Sequence, residues 1–199
     1  MVRTSMIIPL GCLVAGACTI EKHAGSGTDT SATKSPAATA DSAASLTPPP
    51  ASTAWTVTPS GVGPIRVGMT ADDLRRVAGD FTVPVGAGEC TYVRPANAPS
   101  GVAVMLASGS VARVDVDSTG VQSDAGVAIG DSASRASTAY AGRVSTTPHK
   151  YVQGGQYLTV RSASPADSSL RIVFESEAGR ITRFRSGRVP EVEQVERCG

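Results

Sequence analysis

His149 carries the most latent chemistry in this chain. It stands in Pro148-His149-Lys150-Tyr151, and the other histidine is His23. An imidazole can act as a general base when an exposed nucleophile and an orienting acid stand near it. The sequence offers no recognisable partner set: it contains no G-x-S-x-G elbow, no H-E-x-x-H and no C-x-x-C. A surface or loop-anchoring histidine is the competing reading, and the histidine supply argues against a zinc enzyme. Gly61-Val62-Gly63-Pro64-Ile65-Arg66 opens like a dinucleotide fingerprint, but Arg66 stands where the third glycine belongs. It reads as a turn leading to a helix. Asp115-Val116-Asp117-Ser118-Thr119-Gly120 opens like a calcium loop, with Thr119 at the third ligand and Gly126 where a bidentate Glu is required. No catalytic residue, cofactor or metal is assigned.

A second kind of chemistry lies in the arginines. Strand alternation places Arg113, Asp115, Tyr157, Arg161, Arg171, Glu175, Arg183 and Arg185 on one outward sheet face. Arginine beside an aromatic is the composition of protein-binding hot spots, and guanidinium forks suit carboxylate, phosphate or glycan. A solvated face with cross-strand ion pairs, such as Arg171 or Arg183 with Glu175, is the plain alternative. Net charge is +1 and aromatics are 4% of the chain, so nucleic acid is not an expected partner.

The elements that must position these residues come in two similar runs. Val67-Gly68-Met69-Thr70 leads into Ala71–Ala78 and closes on Gly79. Ile129-Gly130-Asp131-Ser132 leads into a second short helical pattern and closes on Gly142. Thr70 with Asp73 has the form of a capping box. Leu74, Val77 and Ala78 share a face with Ala71, and Ala133, Ala136 and Tyr140 do the same in the second run. Strand patterns follow each helix: 89–94, 102–106 and 111–117, then 157–161, 170–175 and 181–185. Leu158, Val160, Leu170, Ile172, Phe174 and Phe184 point inward. The predicted fold is α+β, with two repeats at about 61–120 and 123–199. Each is a short helix plus an antiparallel meander, and the helices pack on one face of the sheet.

Gly68-Met69-Thr70, Asp73-Leu74 and Val77-Ala78-Gly79 resemble the opening of the small outer-membrane lipoproteins of the SmpA/OmlA (BamE) family. The tandem layout resembles the architecture of β-lactamase inhibitory protein. Both resemblances imply an α+β fold and a non-catalytic role. The second run departs from the first motif, with Asp131-Ser132 in place of Met-Thr.

The N-terminus has the three parts of a secretory signal: Arg3, an apolar run from Met6 to Val14, and small residues. Leu13-Val14-Ala15-Gly16-Ala17-Cys18 resembles the lipobox of bacterial lipoproteins. That resemblance implies removal of residues 1–17, a thioether-linked diacylglycerol on Cys18 and an acylated new N-terminus. From Thr19 to Ala54, 28 of 36 residues are Ser, Thr, Ala, Pro or Gly, and none is aromatic. Such a composition buries too little to fold, so 18–54 reads as the lipidated cysteine and a disordered tether. Residues 55–199 form one globular domain of about 145 residues. With Cys12 removed and Cys18 lipidated, Cys90 and Cys198 remain. A disulfide suits an exported domain, against two buried thiols or a metal pair.

The expected function is a membrane-anchored envelope lipoprotein, a non-catalytic binding or assembly module whose envelope-protein partner docks on the exposed sheet face. An inhibitor or sensor of an extracytoplasmic hydrolase is the second reading, and an enzyme using His149 the third. Thr19 follows Cys18 where an aspartate would resemble an inner-membrane retention signal. The outer membrane, facing the periplasm, is therefore the expected location.

Overall fold

Thr70 starts the first helix by exchanging hydrogen bonds with Asp73. Its hydroxyl accepts from the Asp73 N–H at 3.1 Å, and the Asp73 carboxylate accepts from the Thr70 N–H at 3.2 Å. The Thr70 hydroxyl also donates to the Asp73 carboxylate at 2.8 Å, and this bond, then that from the Thr70 N–H, holds the Asp73 carboxyl below the usual aspartate range. Gly79 closes the helix at φ 84°, a conformation that favours glycine. Ser132 caps the second helix with a single bond, accepting from the Arg135 N–H at 3.1 Å. That helix ends at Tyr140, two residues before the expected Gly142.

The computed structural model describes residues 55–198. The leader, Cys18, His23 and the tether to residue 54 lie outside the described residues. In chain order the elements are Thr56–Thr58 (β1), Gly61–Val62 (β2), Ile65–Arg66 (β3), Ala71–Ala78 (α1), Cys90–Val93 (β4), Val102–Ala107 (β5) and Ser110–Val116 (β6). There follow Gln122–Ser123 (β7), Ala133–Ala139 (α2), Val144–Pro148 (β8), Gln156–Arg161 (β9), Leu170–Glu177 (β10) and Arg180–Arg188 (β11). The class is α+β. A small sheet runs β3-β2-β1-β7, and a seven-stranded sheet runs β4-β5-β6-β11-β10-β9-β8. Every pairing in the large sheet is antiparallel. The Gly61–Gly63 stretch, expected as a turn, is β2 and the turn after it; a Cβ on Gly61 would stand 2.0 Å from the Ile65 carbonyl oxygen.

Both helices lie on one face of the large sheet. Leu74, Ala78, Ala136 and Tyr140 pack with Val104, Val114, Leu158, Val160, Ile172, Phe174 and Phe184 in one buried cluster. Val77, expected on the buried side of α1, is 38% exposed. The rings of Phe174 and Phe184 are 5.3 Å apart, and Tyr140 lies 5.8 Å from Phe174. The two halves meet at the β6–β11 seam. There a Cβ on Gly187 would stand 2.5 Å from the Ala112 carbonyl oxygen, so only glycine leaves room for Arg113 opposite it.

The stretches that lead into the two helices make similar backbone bonds. Gly68 N–H donates to Val111 O at 2.7 Å, and Gly130 N–H to Ile181 O at 2.8 Å. Val111 N–H donates to Met69 O, and Ile181 N–H to Asp131 O, both at 2.8 Å. The hairpin turns Ser108-Gly109 and Ala178-Gly179 each place both residues at positive φ. The register shifts two to three residues from each turn, opposite Ala112 and opposite Thr182.

Candidate functional site

The second face of the large sheet was expected to be wet, and it is mostly covered. Arg113 is 2% exposed, Asp115 7%, Tyr157 8%, Glu175 4% and Arg185 2%. The cover is the C-terminal segment 189–198. Val192 sits with Tyr157 and Val173 in a second apolar cluster, flanked by Val189 and Val195. Cys198 is bonded to Cys90 across a sequence separation of 108 residues, so the expected disulfide pins the end of this cover to β4.

Buried charges need partners, and the covering segment supplies several. Arg113 grips Asp115 with Nε at 2.9 Å and Nη2 at 2.5 Å. Its Nη1 donates to the carbonyl oxygens of Gln194 at 2.7 Å and Glu191 at 3.2 Å. Tyr92 donates its hydroxyl to Asp115 at 2.9 Å; burial, then the Asp115 charge, pushes this phenol far up. Arg185 pairs with Glu175 through Nη1 and donates from Nε to the Val192 carbonyl at 2.6 Å. Burial, then the Arg113 charge, lowers the Arg185 guanidinium from its usual range. Arg183 reaches Glu175 at 3.1 Å with more than half its side chain in solvent. Arg171 turns to Glu193 at 3.8 Å, and Arg161 is exposed. Of the expected binding face, Arg113, Tyr157, Glu175 and Arg185 are thus interior, and Arg161 and Arg183 remain at the surface. Sequence alternation identifies a shared face but carries no information about a distant segment that covers it.

His149 is structural in its contacts. Its Nδ1 accepts from the Tyr151 and Val152 N–H groups, each at 3.1 Å. That leaves Nε2 to carry the proton toward Glu175 at 3.4 Å. The ring stacks on Tyr157 at 4.4 Å, with its side chain 5% exposed. The imidazole therefore ties the loop 149–155 to the sheet. Lys150 and Tyr151 reach on to Glu196, holding its carboxyl at about 2. Asp117 meets Arg94 at 3.1 Å and Arg197 at 3.5 Å, so the calcium-like pair of aspartates serves ion pairs.

The opening that remains lies between the cover and the free edge at β8. A groove of about 310 Å³ is lined by Ser145, Thr147, Tyr157, Thr159, Arg185 and Glu193, with Val173 and Val195. A second hollow of about 450 Å³ lies by Thr146, Pro148, Val152 and Gln156. The Arg161 N–H donates to Arg143 O at 3.0 Å, and the His149 N–H to Gly155 O at 2.9 Å. Odd-numbered residues of β8 therefore turn their peptide groups to β9. By antiparallel alternation Val144 and Thr146 turn theirs outward, and Pro148 offers a carbonyl alone. Among the described residues no strand pairs with this outer side. Sequence reading missed β8; the β-branched residues Val144, Thr146 and Thr147 before Pro148 were the available signal.

No protein-family model matches the chain, no curated protein matches it, and no solved structure matches it.

Proposed function

We propose that this chain is a lipid-anchored envelope protein whose globular domain is a non-catalytic binding module, with β8 as its docking strand. The observation that carries the docking site is the outer side of β8: Val144 and Thr146 present unpaired N–H and C=O groups, and no charged residue lies within Val144–Pro148 to discourage pairing. An extended segment of another envelope protein would add there as an eighth strand. The Cys18 lipobox, a polar tether and a disulfide suited to an oxidising compartment support an exported, membrane-held domain. By the leader's form, the location we favour is the outer membrane, facing the periplasm.

We also read the halves as two copies of one unit. The matched hydrogen bonds around Gly68 and Gly130, the matched positive-φ turns and the matched register shifts support that duplication. This layout keeps an inhibitor or sensor of an extracytoplasmic hydrolase as the second reading. The contacts of His149 favour either binding reading over catalysis.

The test is photo-crosslinking in the native envelope. A photoreactive residue at Thr146 of the full-length lipidated chain is expected to capture a discrete partner. The same residue at exposed Ser168, away from β8, is expected to capture none. Adducts from neither position, together with hydrolytic activity of the purified protein, would overturn the proposal.

A further inference from the structure

We infer that the covering segment 189–198 is a releasable strap, that Cys90–Cys198 is its latch, and that the face beneath is a binding site for an extended peptide. The two faces of the large sheet differ in what uncovering costs. The helix-bearing face carries Leu158, Ile172, Phe174 and Phe184, and exposing it would forfeit the core. The covered face carries Arg113, Asp115, Tyr157, Glu175 and Arg185, and its buried ion pairs lie within the sheet. Arg113 keeps Asp115, and Arg185 keeps Glu175, with or without the strap. Water can therefore reach this face without leaving a charge unpaired. Arginine beside an aromatic is also the composition that favours protein binding.

The strap is lightly held. Within 189–198 only Val192 is buried, against Tyr157 and Val173. Among the described residues no backbone-to-backbone bond joins 190–198 to the sheet. The sheet instead offers side-chain donors to the strap's own carbonyls: Arg113 to Glu191 and Gln194, and Arg185 to Val192. The pairs Arg171–Glu193, Lys150–Glu196 and Arg197–Asp117 lie at the surface, where such pairs contribute little. Guanidiniums that read main-chain oxygens, beside one apolar seat that reads a side chain, suit any extended peptide with a valine-sized residue at that seat. The strap fills this site in cis. Both cysteines of the latch are partly exposed, so a dithiol reductant can reach them. One of its thiolates attacks a sulfur of the bridge, the other sulfur leaves as a thiolate, and its second thiol resolves the mixed disulfide. The chain gains two thiols and the reductant becomes a disulfide.

The full-length protein, with and without dithiothreitol, tests this by NMR and by peptide binding. On reduction, backbone order parameters across 191–198 should fall below about 0.6, while β5, β6, β10 and β11 stay near about 0.85. Val192→Ser removes the anchor of the cis occupant and leaves the face intact. A fluorescein-labelled peptide with the sequence of residues 189–197 should bind this reduced variant about tenfold or more tighter than its oxidised form. Replacing the valine that corresponds to Val192 in the peptide by serine should weaken binding about tenfold, the scale of burying one valine. A strap that keeps its order after reduction would overturn the latch. Loss of order in β6 and β11 along with 191–198 would overturn the separable strap. A peptide that binds neither form, or whose binding ignores reduction or the valine, would overturn the binding site.

Discussion

Single residues here do unlike work with like chemistry. Arg113 and Arg161 both belong to the expected arginine face, yet one is 2% exposed and the other lies in solvent. Arg113 joins strand to cover: one side of its guanidinium holds Asp115, and Nη1 holds two carbonyls of the covering segment. Arg113→Ala would strand the Asp115 carboxylate, and breaking such a pair is expected to lower unfolding free energy by about 3–5 kcal/mol in urea titrations. The double change Arg113→Met with Asp115→Leu should lose less, because no uncompensated charge remains. Glu196 gives a pH signature. Its carboxyl sits at about 2 against an ordinary 4.5, because Tyr151 and then Lys150 donate to it. A lowered carboxylate stabilises the fold fully above its unfolded value, and that contribution fades as pH falls from about 4.5 toward 2. Carbon-detected NMR titration should find the Glu196 carboxyl near 2; a midpoint near 4.5 would show that the Lys150–Tyr151 clamp is absent in solution.

At the scale of elements, helices and meanders follow from local pattern, while cover and edge do not. Thr70, Asp73 and Gly79 mark both ends of α1 in the sequence itself. Leu158, Val160, Ile172, Phe174 and Phe184 point to the helix-bearing face as their alternation requires. The opposite face misleads because Arg113, Asp115, Glu175 and Arg185 are charged yet buried, each neutralised by a partner that alternation cannot name. Their cover arrives from residues 189–198, and nothing in a strand's own sequence announces a distant segment that crosses it. The groove beside β8 was illegible for the same reason, since the covering segment forms one of its walls. The two-residue strands β2, β3 and β7 were beyond periodicity altogether. Leu74 is the main anchor of α1 in the core and is fully buried, so Leu74→Ala should cost about 2–5 kcal/mol by thermal or urea unfolding. Thr70→Ala, which removes one arm of the capping box, should cost about 1 kcal/mol.

For the whole molecule, the disulfide and the free edge divide the work. Cys90–Cys198 closes a loop spanning most of the domain, and the covering segment seals charges that would otherwise face water. Cys90→Ser with Cys198→Ser should lower stability by roughly 4–5 kcal/mol on the chain-entropy estimate. Hydrogen exchange should then rise first across 189–198, and intact-mass analysis of the unaltered protein should find no free thiol at either position. The cover and the two helices close the faces of this sheet; its two edges are β4, which carries the cross-link, and β8, the margin proposed for docking. Thr146→Pro probes that margin most directly. The Thr146 N–H points away from β9, so proline removes a docking donor without breaking the existing ladder. The measurement is photo-crosslinking from Ser145 in the full-length protein in its native cells, with and without Thr146→Pro. Loss of the partner adduct with an unchanged melting temperature is expected; an adduct that persists undiminished in the folded variant would contradict docking on β8.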